Sequence, residues 1–147
     1  MIKLNCAEIA LMLDGALTGH NVSISNVSTD SRVIAEHDLF IALKGPNFDG
    51  SAFVAEVKEK GAAAVVVEQA VAVDIPQIIV QDTRLALGQL AAAVKARLAP
   101  KTIAVTGSAG KTTVKEMMAA ILSRRGNVLA TQGNFNNDIG VPLTMLR

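Results

Sequence analysis

The 147-residue sequence contains no tryptophan, no tyrosine, four phenylalanines and a single cysteine, Cys6. Without large aromatics the core has to be aliphatic. Hydrophobic residues make up 50% of the chain, with alanine and valine prominent, as expected for helices packed tightly on a buried sheet. A single cysteine excludes an intrachain disulfide and is in keeping with a reducing compartment. Neither sign of charge is in excess: 14 Lys and Arg against 13 Asp and Glu leave a formal net charge of +1, so nucleic acid and anionic membranes are not expected partners. The longest apolar run, Gly61 to Val67, is far short of a membrane span. Met1-Ile2-Lys3 is soon followed by Glu8 and Asp14, which is unlike a secretory signal peptide. These absences predict a soluble, cytoplasmic protein. The length suits one domain, or one domain plus a piece of another.

What is present alternates between helix and strand signals. Asn5 with Glu8 three residues on forms a capping-box pattern, and Cys6, Ile9, Ala10 and Leu13 follow at helical spacing, with Gly15 as the stop. Cys6 on that apolar face reads as core rather than nucleophile. Extended pieces are expected around Val22–Ser28 and Asp38–Leu43. Ser51 opens a second helix that Gly61 ends. Ala62–Val67 is an unbroken apolar strand, typical of a sheet covered on both faces. Another strand, Gln77–Gln81, follows Pro76. Asp82 then caps a long helix with an apolar stripe of Leu87, Leu90, Ala91, Val94 and Leu98. This order predicts an α/β fold with parallel pairing and right-handed crossovers.

Pro100 breaks the long helix, and a domain boundary is placed there: residues 1–99 as one small α/β domain, residues 100–147 as the start of a second. Thr102–Val105 reads as a strand. A helix follows with Val114, Met117, Met118, Ile121 and Leu122 on one apolar face, the methionines serving as core. Arg124 and Arg125 suit the C-terminal end of that helix, Gly126 ends it, and Asn127–Thr131 reads as a further strand. Pro142 starts a last helix. Two strands and one helix do not bury an α/β sheet, so the second domain is expected to be incomplete.

Between Val105 and Val114 lies Thr106-Gly107-Ser108-Ala109-Gly110-Lys111-Thr112-Thr113. A glycine-rich turn between a strand and a helix lets backbone N–H groups curl around phosphate, and the helix start adds free N–H groups and the positive end of its dipole. Lys111 can reach a terminal phosphate, and the Thr112 hydroxyl can ligate Mg²⁺. The stretch reads as a nucleoside-triphosphate site with Mg²⁺. Gly107, Ser108, Ala109, Gly110, Lys111, Thr112 and Thr113 line it, with Lys111 as the catalytic cation and Thr112 as the metal ligand. The first glycine of the common P-loop pattern is absent, because Val105 occupies that position. An ordinary strand-to-helix turn with a solvated lysine is the competing reading, and Gly-Lys-Thr-Thr at a helix start is hard to explain as packing.

The loop from Thr106 to Met117 resembles the ATP loop of the Mur ligases, a family whose loop has this shorter form. Gly133-Asn134-Phe135-Asn136-Asn137-Asp138-Ile139-Gly140-Val141-Pro142-Leu143-Thr144 is similar to the branch of that family that joins D-alanyl-D-alanine to UDP-MurNAc-tripeptide. Ser28-Thr29-Asp30-Ser31-Arg32, Asp38-Leu39-Phe40-Ile41-Ala42-Leu43-Lys44-Gly45 and Phe48-Asp49-Gly50 resemble pieces of its UDP-sugar-binding domain. The resemblance covers the whole chain. It implies a P-loop-type parallel-sheet ATPase domain after a UDP-sugar-binding one, and an ATP-dependent peptide ligase that works through an acyl phosphate. It places Asn136 and Asn137 beside the nucleotide and Thr29, Asp30, Ser31 and Arg32 at the sugar nucleotide. On residue types alone that second cluster reads equally as a solvated turn with a local ion pair, although a planar guanidinium suits a diphosphate. His20 and His37 sit in expected loops and read as solvent-exposed. The acceptor site and the oligomeric state are not legible, nor is the choice of lysine or meso-diaminopimelate as third peptide residue.

Three alternatives stay open. One is a sister ligase that adds the third peptide residue, or a folylpolyglutamate synthetase; the Asn-Phe-Asn-Asn-Asp-Ile-Gly-Val-Pro run argues against both. The second is a small P-loop kinase, against which the roughly 100 residues ahead of the loop speak, since such proteins usually begin with the loop. The third is a non-catalytic UDP-sugar-binding module.

Overall fold

The structure, a computed structural model, describes residues 3–147. In chain order its strands are β1 (Leu4–Asn5), β2 (Ala16–Thr18), β3 (Ser23–Ile24), β4 (Asn26–Ser28), β5 (Asp38–Ile41), β6 (Lys44–Gly45), β7 (Phe48–Asp49), β8 (Ala64–Val67) and β9 (Gln77–Ile79). Its α-helices are α1 (Cys6–Met12), α2 (Val54–Glu59), α3 (Thr83–Leu98), α4 (Lys111–Leu122) and α5 (Gly140–Met145). The central sheet has the order β2-β9-β8-β5-β4. Its four strands from β9 to β4 are parallel, with Leu39 beside Ala64 and Val66 beside Ile78. The sheet is α/β and parallel as the sequence predicts, with one addition: β2, unanticipated, pairs antiparallel with β9 at the edge.

Strand periodicity divides the core in two. Leu39, Ile41, Ala64, Val66 and Ile78 face one way and pack with Ile9 of α1 and Leu87, Leu90 and Val94 of α3. Phe40, Ala42, Val65 and Val67 face the other way and pack with Val54 and Val57 of α2. All four residues of β8 are buried, as its unbroken apolar run requires. Each fully buried side chain of this size contributes about 1.5–3 kcal/mol.

The helix starts follow local chemistry. The capping box on α1 is present: Asn5 Oδ1 accepts from Glu8 N at 2.9 Å, and Glu8 Oε2 accepts from Asn5 N at 3.1 Å. Asp14, not Gly15, takes the left-handed conformation after it, with φ 49°. A 3₁₀ turn, Gly50–Phe53, precedes α2, and its cap is Asp49, whose carboxylate accepts from Ser51 N at 2.9 Å. Asp82 caps α3 by accepting from Arg84 N and Leu85 N. The stripe on α3 is buried through Val94, but Leu98 in the last turn is 54% exposed. The β8–β9 crossover has no helix. The buried Gln77 amide closes it instead, accepting from Val71 N at 2.9 Å and donating to Val71 O at 2.8 Å.

Beyond Pro100 the structure corrects three expectations. Thr102–Val105 and Asn127–Thr131 do not form strands. A strand's N–H and C=O groups are satisfied by a neighbour, and neither stretch has a paired strand among the described residues. Helix α4 forms, but it buries none of its residues. Met117 and Ile121, expected in the core, are 60% and 64% exposed, because no sheet lies under them. Helix α5 is different. It packs along α3, and the following Leu146, 1% exposed, completes the first core cluster with Ile139 and Leu143 beside it.

Candidate functional site

Four parallel strands end at one edge of the sheet. The segments that follow β4, β5, β8 and β9 therefore gather there, which is where ligands bind in open α/β sheets. Thr29, Asp30, Ser31 and Arg32 follow β4 directly. Asp30 Oδ1 accepts from Arg32 N at 3.0 Å and from Arg32 Nε at 2.8 Å, and Oδ2 accepts from Nη2 at 2.6 Å. One carboxylate thus shapes the turn and aims the guanidinium. Arg32 beside it holds the Asp30 carboxyl down at about 2. The Arg32 side chain stays 84% exposed, leaving donors on the planar fork for an anion. Ser28 Oγ accepts from Asp30 N at 3.1 Å, and Lys60 Nζ donates to Ser31 O at 2.8 Å, so the turn is tied at both ends.

Next to it, between the segments after β5 and β8, lies a cleft of about 110 Å³ lined by Ala42, Lys44, Asp49, Ser51 and Glu68 among others. Lys44 Nζ lies 3.8 Å from Glu68 Oε2. Glu68 Oε1 also accepts from Thr83 N at 3.2 Å, which joins the cleft to the start of α3. The Asp49 carboxyl is lowered, first by its hydrogen bonding with Ser51 and further by the Lys44 charge. Sequence reasoning did not select Lys44, Asp49 or Glu68. The signal was available: Lys44 and Glu68 fall just past two predicted strands, at the edge where ligands are expected.

The phosphate-type loop is built on α4. Gly107 and Gly110 have φ of 153° and 76°, and Gly110 is the N-terminal flanking residue of the helix. Only glycine adopts such angles without strain, so the turn that presents the loop amides depends on them. Lys111 is the first residue of α4, and its Nζ donates to Gly107 O at 2.5 Å, folding back across the loop. Thr112 and Thr113 lie exposed in the first turn, and Ser108 and Ala109 lie exposed on the loop. Among the described residues no group of three or more His, Cys, Asp or Glu could hold a metal. The Thr112 hydroxyl in the first turn is an oxygen donor of the type that hard cations take.

Asn136 and Asn137 lie on the approach to α5. Asn136 N donates to Asn134 O at 2.7 Å. Asn137 Oδ1 accepts from Gly140 N at 2.7 Å and Ile139 N at 3.3 Å, so it braces the start of α5. Asp138 is turned towards α3, where Arg84 grips it. His20 and His37 are exposed in loops. No helix of the described residues is long and apolar enough to cross a membrane.

Two family models match the chain: that of the Mur ligase family, catalytic domain, over residues 23–95, and that of the Mur ligase middle domain over residues 105–147. The UDP-N-acetylmuramoyl-tripeptide–D-alanyl-D-alanine ligase of Escherichia coli (strain K12) is 48% identical over 147 residues, covering 100% of this chain and 32% of that protein. The protein of the same name from Bacillus subtilis (strain 168) is 45% identical, covering 99% of this chain and 33% of its own length. A crystal structure of MurF from Acinetobacter baumannii superimposes with a TM-score of 0.93 at 42% identity, over 99% of this chain and 33% of that one. MurF ligase from Thermotoga maritima, in complex with ADP, gives a TM-score of 0.73 at 34% identity, over 82% of this chain and 28% of its own. The chain thus spans about a third of the length of the relatives it matches.

Proposed function

Since the chain belongs to the Mur ligase family, we propose that it supplies the UDP-sugar-binding domain (residues 1–99) and the opening of the ATP-binding domain (residues 100–147) of a UDP-MurNAc-tripeptide–D-alanyl-D-alanine ligase of peptidoglycan synthesis. The observation that carries this reading is the glycine loop that presents Lys111 at the start of α4, in one chain with an exposed guanidinium, Arg32, at the carboxyl edge of the sheet. The named relatives supply the substrate class, and the ADP complex of one of them supports ATP as the phosphoryl donor.

A carboxylate is a poor acyl donor because its leaving group would be oxide. Phosphorylation supplies a better one: a carboxylate oxygen of the tripeptide attacks the γ-phosphorus, ADP leaves, and the acyl phosphate is attacked at carbon by the amine of D-alanyl-D-alanine, releasing phosphate. The barrier lies in bringing anions together, so the protein's part is to offset charge and fix positions. Lys111 would swing from Gly107 O to the γ-phosphate, and the amides of Gly107, Ser108, Ala109, Gly110 and Thr113 would cradle the β-phosphate side. Mg²⁺, bound by the Thr112 hydroxyl and phosphate oxygens, would offset further charge. Asn136 and Asn137 would lie beside the nucleotide. At the other domain, Thr29, Asp30, Ser31 and Arg32 would hold the diphosphate of the UDP-sugar, with Asp30 fixing the guanidinium. A cytoplasmic location follows from the need for ATP.

The reading is tested in a full-length polypeptide carrying this sequence, given UDP-MurNAc-tripeptide, ATP and a panel of acceptors. D-alanyl-D-alanine is expected to be joined in preference to lysine, meso-diaminopimelate or glutamate. A chain that bound UDP-sugars and showed no ATP affinity would instead be a binding module.

A further inference from the structure

Resting on the ligase reading above, we propose that Arg84 is a positioning residue: its forked ion pair with Asp138 sets the register between the nucleotide-side asparagine segment and the sheet edge that holds the sugar nucleotide. Arg84 lies in the first turn of α3, immediately after β9, so it stands at the carboxyl edge of the sheet. Its backbone N–H is fixed by Asp82 Oδ1 at 2.8 Å. Its Nε donates to Asp138 Oδ2 at 2.5 Å and its Nη2 to Asp138 Oδ1 at 2.9 Å, across 54 positions of sequence. Two parallel bonds to one carboxylate fix orientation as well as distance, which a lysine could not do. Each partner favours the charged form of the other: the Asp138 carboxyl is lowered and the Arg84 guanidinium raised.

Asp138 is a useful place to grip because the segment around it is stiff. Asn137 braces Gly140 and Ile139 from one side. On the other side the backbone of Phe135 comes so close to Gly140 that an added Cβ would lie 2.6 Å from the Phe135 Cα. The segment is then anchored behind by α5 and Leu146. Moving Asp138 therefore moves Asn136 and Asn137 with it. The ion pair itself is exposed, at 49% and 61%, so it adds little to stability. What it adds is register. On the ligase reading the sugar nucleotide would lie on the Arg84 side of this contact and ATP on the Asp138 side, and small displacements between reacting groups cost large factors in rate.

The test uses the full-length ligase with UDP-MurNAc-tripeptide, ATP and D-alanyl-D-alanine as probes, and compares wild type with Arg84→Ala, Asp138→Asn and the double variant. Each single change is expected to lower kcat by roughly tenfold to a hundredfold. The KM values for all three substrates and the melting temperature should stay near wild type, and the double variant should be no slower than the slower single one, because the two residues act as one device. An unchanged kcat would overturn the proposal, as would losses that multiply in the double variant. A fall in melting temperature with all three KM values raised would overturn it too, by showing a merely structural contact. A wild-type enzyme that joined no dipeptide would overturn the ligase reading and this role with it, and is told apart by the lack of any rate to reduce.

Discussion

Replacing Leu146 with alanine asks whether α5 is part of the folded body or only rests on it. Leu146 is 1% exposed and belongs to the core cluster that includes Leu87 and Leu90 of α3. The change removes three carbons, which at about 0.8 kcal/mol per buried methylene is about 2–3 kcal/mol. Buried Leu→Ala changes span about 2–5 kcal/mol, the upper values coming from cavities that do not collapse. Here α5 is a six-residue helix that can shift on the surface of α3, so the lower part of the range applies. At 1.4 kcal/mol per tenfold, local opening of α5 should become about 30- to 100-fold more frequent. Native-state hydrogen exchange reads this directly at Leu143 N and Leu146 N, which donate to Ile139 O and Pro142 O at 3.1 Å each. Sheet amides such as Val65 N should change much less, since α5 can open without the sheet. Amides of α4, which buries nothing, should exchange quickly in both proteins. If Leu143 and Leu146 exchange equally fast in wild type and variant, α5 is not docked and the reasoning fails; an equal loss at Val65 would refute the local-opening argument.

Three further outcomes are expected. Lys111→Ala in the full-length enzyme should cost about 2–4 kcal/mol of transition-state stabilisation with an unchanged melting curve, as removal of one preorganised charge partner does; normal turnover would contradict its role. Arg32→Ala should raise the KM for UDP-MurNAc-tripeptide and leave that for ATP alone; equal effects on both, or a large drop in melting temperature, would mark a structural ion pair. The Asp30 carboxyl should titrate by NMR near 2 in the wild type and move towards the ordinary 3.8 in Arg32→Ala. Because the folded value lies below the unfolded one, the pair's contribution is full above the ordinary carboxyl range and is lost as pH falls through about 2. An Asp30 midpoint unmoved by the substitution would show that Arg32 is not its partner in solution.

The sequence was most informative where a signal is local. Asn5 with Glu8, Asp82 ahead of Arg84, and the unbroken apolar run through Ala64–Val67 each state their structure within a few residues, and each forms. Where the outcome depends on a distant partner it was not legible. Thr102–Val105 has strand composition, but a strand exists only beside another. The apolar face of α4 has the correct period and nothing to cover it. A last helix was expected at Pro142 and α5 forms there, but its docking on α3 through Ile139, Leu143 and Leu146 needs the folded partner to be seen. The edge strand Ala16–Thr18 is three residues long and has no buried position. At the candidate site the glycine loop announces itself by composition. Lys44 and Glu68 need the strand order before their meeting across a cleft is visible, and Arg84 needs the docking of α5 before it meets Asp138.

The central claim is that the Lys111 loop passes the γ-phosphate of ATP to the carboxylate of the sugar-nucleotide peptide, forming an acyl phosphate. The most direct measurement labels both oxygens of that carboxylate with ¹⁸O and follows the phosphate released by the full-length enzyme in the presence of D-alanyl-D-alanine. If the carboxylate attacks phosphorus and the amine then attacks carbon, each phosphate released carries one ¹⁸O atom and the new amide keeps the other. Unlabelled phosphate released with amide formation would show that the carboxylate never bonded to phosphorus, and the account would be wrong.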